Sequence, residues 1–212
     1  DVFFGDIFRS IFLGGTMVLA NEEERLVPQK IIELISKYHV SHLESTPSFL
    51  QMMLKDASDI SSLKHLICGS EAISPGMYDA LIKIPNLRLY NSYGLTEVSI
   101  DSALHPLLEY KNQYPLGFPI GDQQFEIRSA VGLNLPYGVW GELYISGSCV
   151  GTPAEENDNY RKNKEGNWTY RTGDRALIHP SYGLIVSGRL ADDFIKVNGK
   201  RIPASLVGRA HV

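Results

Sequence analysis

Apolar positions recur along this chain with two different periods. Ile31, Ile32, Leu34, Ile35 and Tyr38 fall on one face of a helix that Pro28 opens. Ser48 precedes Phe49, Leu50, Met52, Met53 and Leu54, a second stripe at helical spacing. Ser74-Pro75 pairs an N-cap with a first-turn proline and predicts a helix to about Lys83. Short apolar runs alternate with these helices: Val40 to Leu43, Leu63 to Cys68 and Leu87 to Tyr90. That alternation predicts a parallel-type α/β layer.

Farther along, the period drops to two. Gln124-Phe125-Glu126-Ile127-Arg128 and Glu142-Leu143-Tyr144-Ile145-Ser146 alternate cleanly. The Gly183–Gly188 run is short, apolar and bounded by glycines, and Phe194–Gly199 reads as a strand ending in a turn. The later half is therefore predicted to be mostly β. Charge shifts at the same place. Residues 1–103 carry 8 basic and 13 acidic residues, whereas 104–212 carry 12 and 11. The predicted organisation is an α/β part over 1–103, a β-rich part over 104–188 and a terminal segment over 189–212.

Composition narrows the classes. A chain that is 43% hydrophobic with a net charge of −4 is not of the disordered type. The apolar stretch from Ser10 to Ala20 is interrupted by Gly14, Gly15 and Thr16 and is too short to span a bilayer. No segment has the basic start and cleavage site of a signal peptide. Cys68 and Cys149 cannot build a disulfide framework, which fits a reducing, cytoplasmic setting. No Cys/His cluster has metal-ligand spacing, and mild acidity gives no reason to expect nucleic acid or a membrane as partner. Asp1 opens directly into Val2-Phe3-Phe4, an apolar run that reads as core, so the chain is expected to be a piece of a longer polypeptide.

Four polar stretches carry candidate chemistry. Asn91-Ser92-Tyr93-Gly94-Leu95-Thr96-Glu97 places a ring, a flexible glycine, a hydroxyl and a carboxylate after a strand. A nucleotide site needs a stacking ring, phosphate donors and an acid for Mg²⁺. Gly69-Ser70-Glu71-Ala72 is a small-residue turn where a ligand can approach backbone. Tyr170-Arg171-Thr172-Gly173-Asp174 reads as a polar turn whose Asp can accept two ribose hydroxyls. Gly188-Arg189-Leu190-Ala191-Asp192-Asp193 suits an interdomain hinge with an Arg facing phosphate. For each alone an ordinary turn or surface loop is the competing reading, and for Gly69–Ala72 the simple turn is the stronger one.

Together, in this order, they resemble the AMP-forming adenylating enzymes, specifically the adenylation domains of non-ribosomal peptide synthetases. The resemblance runs from Asp1 to about Ile202. It rests on Tyr93-Gly94-Leu95-Thr96-Glu97, Gly141–Gly147, Tyr170–Asp174, Arg189 to Asp192 and Lys196 to Ile202. The fold it implies is the second half of the large subdomain of such a ligase, with the start of a small lid. It implies that Tyr93 stacks on adenine, with Gly69, Ser70, Glu71, Ala72, Asn91 and Ser92 beside the base. Thr96 would contact phosphate, Glu97 would hold Mg²⁺, Asp174 would bind ribose, Arg189 would lie near ribose or phosphate, and Asp192 would be the hinge. The implied reaction joins an amino-acid carboxylate to the α-phosphate of ATP, with Thr96 and Glu97 as its catalytic residues, and then passes the aminoacyl group to a carrier domain's phosphopantetheine thiol.

The sequence departs from the family pattern in places. Leu95 stands where proline is usual, Pro203 stands where glutamate often follows Arg-Ile, and Val150–Asn163 is short. One extra residue separates Arg189 from Asp192, so the hinge could fall on Asp193. The phosphate loop and the lysine that the family uses in adenylation are absent. The resemblance therefore implies that the chain needs the other half of its domain and lid, and that alone it does not turn over.

The same resemblance maps a substrate pocket onto Asp1, Val2, Gly5, Glu44, Leu66, Cys68, Ser92, Ile100 and Asp101. Asp1 would pair with the substrate α-ammonium. Glu44 and Asp101 place two carboxylates in an otherwise small, apolar lining, and no Lys or Arg among these positions offsets them. Desolvating an unpaired carboxylate is costly, so a cationic substrate side chain is expected, ornithine ahead of lysine. Two alternatives stand beside this: an acyl- or aryl-CoA ligase, which predicts an apolar pocket, and an inactive fragment that only binds or packs.

Overall fold

The computed structural model describes residues 2–55, 60–107, 114–155, 157–163, 166–190, 194–197 and 200–203. The chain divides into two compact units. The first comprises residues 1–91 and 106–108, and the second 92–105 and 109–212. The division falls next to Asn91.

The first unit is the α/β layer. Its helices are α1 (Val2–Phe12), α2 (Pro28–Tyr38), α3 (Pro47–Lys55) and α4 (Pro75–Leu81). Strands β1 (His42–Ser45), β2 (His65–Cys68) and β3 (Arg88–Tyr93) run parallel, with Ser45 opposite Cys68 and Cys68 opposite Asn91. The helix starts follow their local chemistry. Pro28 and Pro75 sit in first turns, and Ser74 Oγ accepts from Met77 N at 3.3 Å. His39 ends α2 in the left-handed conformation, where its N–H reaches the last carbonyls. Ile32, Ile35, Leu50, Met53, Leu66, Cys68, Tyr78 and Leu81 are buried.

The stretch from Val2, read only as an apolar run, is the helix α1. Phe3, Phe4, Phe8, Ile11 and Phe12 are all exposed on it, and the Phe8 and Phe12 rings stack at 5.7 Å.

The second unit is β-rich, as the period-two pattern required. A short antiparallel pair joins β4 (Ala103–Pro106) to β5 (Phe118–Pro119). A second sheet has the order β10-β9-β7-β6, from β6 (Gln124–Arg128), β7 (Gly141–Ser146), β9 (Trp168–His179) and β10 (Gly183–Arg189). The short β8 (Tyr160–Lys162) pairs with β9. The terminal strands β11 (Phe194–Val197) and β12 (Lys200–Pro203) form an antiparallel hairpin. Leu143, Ile145, Ala176 and Leu184 are fully buried and form the centre of a core with Leu95, Val98, Ile127, Val150 and Tyr170. Gly183 is obligatory: its φ is +74°, and an added Cβ would lie 2.0 Å from the Gly117 carbonyl oxygen.

Candidate functional site

In the second unit the site is built where the end of β3 meets β9 and β10. Tyr93 ends β3, and Gly94 turns the chain into a single 3₁₀ turn over Thr96–Val98. A Cβ on Gly94 would fall 1.3 Å from the Ile100 carbonyl oxygen, so backbone packs on backbone there. Leu95 and Val98 point into the core, whereas Thr96 is exposed and Glu97 half-buried. The turn closes on two left-handed residues, Ser99 (φ 60°) and Ile100 (φ 76°). A positive φ is unusual for a β-branched residue. Ser99 Oγ holds this turn by donating to the Cys149 carbonyl at 2.8 Å. Gly151 N donates to the Glu97 carbonyl at 3.0 Å, and burial followed by the Glu97 charge raises the Tyr160 phenol above its ordinary range.

Tyr170–Asp174, expected as a polar turn, lies inside the twelve-residue strand β9. Thr172 is what makes this work. Its hydroxyl donates to the Leu143 carbonyl at 2.9 Å and accepts from Asp174 N at 3.0 Å. The left-handed Gly173 (φ +74°) and a register shift against β7 kink the strand without breaking it.

The kink presents the buried Asp174 to two donors. Its Oδ2 accepts from the Tyr93 hydroxyl at 2.5 Å, and its Oδ1 accepts from Arg189 Nη1 at 3.0 Å. Arg189 lies opposite Asp174 in the β9–β10 ladder, and its Nη1 also donates to the Thr172 carbonyl at 2.7 Å. Burial, then the Asp174 charge and hydrogen bond, raise the Tyr93 phenol well above its ordinary value, so it stays protonated and donates. Each Asp174 oxygen keeps a second lone pair, which fits the acceptor role expected toward vicinal hydroxyls. Glu97 is a half-buried residue that supplies one carboxylate, and Mg²⁺ takes one or two carboxylates and otherwise phosphate and water. Among the described residues, three or more His, Cys, Asp or Glu side chains nowhere gather as a metal cluster.

In the first unit, the carboxyl ends of β1–β3 carry Glu44, Cys68, Gly69 and Asn91, the edge where open parallel sheets bind ligands. Ser70 is left-handed (φ 67°). Glu71 is engaged by the start of α3: its Oε2 accepts from Ser48 N at 3.1 Å and its Oε1 from Ser48 Oγ at 3.0 Å. Leu66 and Cys68 are fully buried on one face of β2, and by register Glu44 shares the opposite face with Ile67 and Tyr90.

One premise of the pocket reading is overturned. Glu44 has a protein countercharge: Arg9 Nη1 of α1 lies 2.6 Å from its Oε2. Sequence reasoning missed Arg9 because it stands outside the mapped positions. The only trace was its three-residue spacing from Asp6, to which it also bonds at 3.1 Å. In the second unit, Asp101 accepts from the Ser92 hydroxyl at 3.0 Å. Gly5 lies within α1, and Val2 begins it. Asp1, Asp192 and Asp193 lie outside the described residues.

An α/β layer followed by a β-rich part is a fold found in solved adenylation-domain proteins. The chain belongs to the AMP-binding enzyme family, whose model matches residues 1–152. It is 34% identical over 220 residues to bacitracin synthase 2 of Bacillus licheniformis, which covers 95% of this chain and 8% of that protein. It is 31% identical over 219 residues to gramicidin S synthase 2 of Brevibacillus brevis, covering 95% of this chain and 5% of that one. The chain thus spans under a tenth of these relatives. Among solved structures, PA1221, a protein containing adenylation and PCP domains, shares the fold at a TM-score of 0.75 and 23% identity, over 85% of this chain and 39% of that one. An artificially fused adenylation-PCP di-domain, NpsA-ThdA from Klebsiella oxytoca, does so at 0.73 and 18%, over 90% and 36%.

Proposed function

We propose that this chain forms the adenine, ribose and side-chain-recognising part of an amino-acid adenylation site. The observation that carries the reading is the Tyr93–Asp174–Arg189 network, which gathers three separated motifs into one polar cluster. Bound ATP supplies the α-phosphorus that an amino-acid carboxylate attacks, with pyrophosphate leaving. Asp174 orients ribose, Tyr93 offers its ring to adenine while its hydroxyl fixes Asp174, and Arg189 balances the buried carboxylate. Thr96 would contact phosphate, and Glu97 would hold a Mg²⁺ ion that offsets phosphate charge. The work is mainly positioning and charge stabilisation. The acceptor is a phosphopantetheine thiol on a carrier domain, reached after the lid turns about Asp192.

The substrate in this reading is a cationic amino acid, ornithine ahead of lysine. Asp1 pairs with the α-ammonium. Glu44 and Asp101 face the side chain, with Val2, Gly5 and Ile100 beside them, whereas Leu66 and Cys68, buried on the other face of β2, drop out of the lining. The test is calorimetric titration of the full polypeptide that carries this chain with a non-hydrolysable ornithyl-adenylate mimic beside lysyl and leucyl versions. Ornithyl binding at least tenfold tighter than leucyl supports the reading; a tenfold ratio corresponds to about 1.4 kcal/mol. Equal binding of all three removes the cationic substrate and keeps the nucleotide site. Absence of binding removes both.

A further inference from the structure

We propose that Arg9 is a specificity-determining residue: an internal counterion that the substrate's side-chain ammonium displaces from Glu44 and that Asp6 then receives. The inference rests on the proposed cationic substrate and adds to it a competitor and a resting place.

Three observations carry it. Glu44 stands at the carboxyl end of β1, at the ligand-binding edge of the parallel strands, and its side chain is only 7% exposed. A carboxylate so withdrawn from water needs a cation, and Arg9 supplies one at 2.6 Å. Arg9 itself is 39% exposed and sits on a helix surface, so its long side chain has room to swing. Finally, the same Nη1 touches Asp6 at 3.1 Å, one turn back on α1, and Asp6 is 40% exposed. The guanidinium therefore bridges a buried and an exposed carboxylate. Moving toward Asp6 leaves it paired in either position and frees Glu44 for another cation. A neutral substrate has nothing to offer Glu44 in exchange and leaves Arg9 in place. Discrimination then comes from the exchange as well as from pocket size.

The test is amino-acid-dependent ATP–pyrophosphate exchange by the full polypeptide that carries this chain, with ornithine and leucine. Arg9→Met keeps most of the apolar stem and removes the competitor. It is expected to lower the KM for ornithine about tenfold relative to that for leucine, the scale of one partly buried charge contact. Asp6→Asn removes the resting place and is expected to raise the ornithine KM while leaving the leucine KM unchanged. Arg9→Lys keeps the charge and is expected to stay near wild type in that ratio. A purely structural Arg9 moves both KM values together in Arg9→Met and overturns the proposal. If Arg9→Met fails to fold, Asp6→Asn decides alone: an unchanged ornithine-to-leucine ratio overturns the proposal. Glu44→Gln separates the two levels. If it leaves the ornithine preference intact, the cationic-substrate reading itself falls; if it abolishes the preference while the Arg9 and Asp6 variants keep it, only the counterion exchange falls.

Discussion

The Tyr93 hydroxyl donates to Asp174 Oδ2, joining the end of β3 to the middle of β9 across 81 residues of sequence. Both groups depend on the contact. Asp174 is buried and needs donors, and the phenol stays protonated because burial and the neighbouring carboxylate disfavour its anion.

Tyr93→Phe keeps the ring and removes the donor. Arg189 remains on Asp174, so the loss is that of one hydrogen bond to a charged group, about 1.5–3 kcal/mol. Urea denaturation measures it. Affinity for the adenylate mimic is expected to fall as well, because Asp174 loses one of the two contacts that orient it; calorimetry on the same variant checks this.

Gly94→Ala is expected to be far more damaging than its size suggests. The new Cβ would lie 1.3 Å from the Ile100 carbonyl oxygen and within 3 Å of the Asp101 Cα, both backbone atoms that cannot swing aside. A destabilisation of about 3 kcal/mol or more is expected. Gly121→Ala is the control: it has a positive φ of 66° but open space around it, and is expected to cost about 1 kcal/mol. Chemical denaturation of the pair gives the comparison.

The His42 and His65 rings stack at 4.4 Å on neighbouring strands, with Tyr90 against His65 at 5.9 Å. Burial foremost, then the charges of His42, Arg88 and Lys64, lower the His65 pKa below its ordinary 6.5. The unfolded chain therefore binds more protons than the folded one just below pH 6.5. This contribution to stability is complete above that pH and is lost as pH falls toward the folded pKa. NMR titration should show His65 titrating below 6.5, and His42→Ala should move it partway back up. An unshifted His65 contradicts the stacking argument.

The two thiols should separate cleanly. Burial pushes Cys68 up to about 12, while Cys149 is half-buried and raised by burial and by Asp122. At pH 8 a thiol reagent is expected to label Cys149 slowly and Cys68 only on unfolding, because the thiolate is the reactive form. Mass mapping of the labelled peptides checks this. Equal labelling of the two in the folded chain would mean that β2 is open to solvent.

The sequence by itself determined the layers. Helical spacing around Ile31–Tyr38 and strict alternation over 124–128 and 142–146 are local properties, and they appear as α2, β6 and β7. It also supplied the ordered motifs, because each is a short run of neighbouring residues such as Tyr93–Glu97 and Tyr170–Asp174. Tertiary structure decided everything that depends on distant partners. Tyr170–Asp174 looks like a turn locally, yet Thr172 bonds to the Leu143 carbonyl and ladder pairing with β7 and β10 keeps it in a strand. The run after Val2 reads as core, yet it is a helix whose aromatic face is exposed. Glu44 looked like an acid waiting for a substrate cation. Only folding brings Arg9 to it, from 35 positions earlier, because the pairing of a buried charge is set by what the fold places within a few ångströms and not by what stands beside it in the chain.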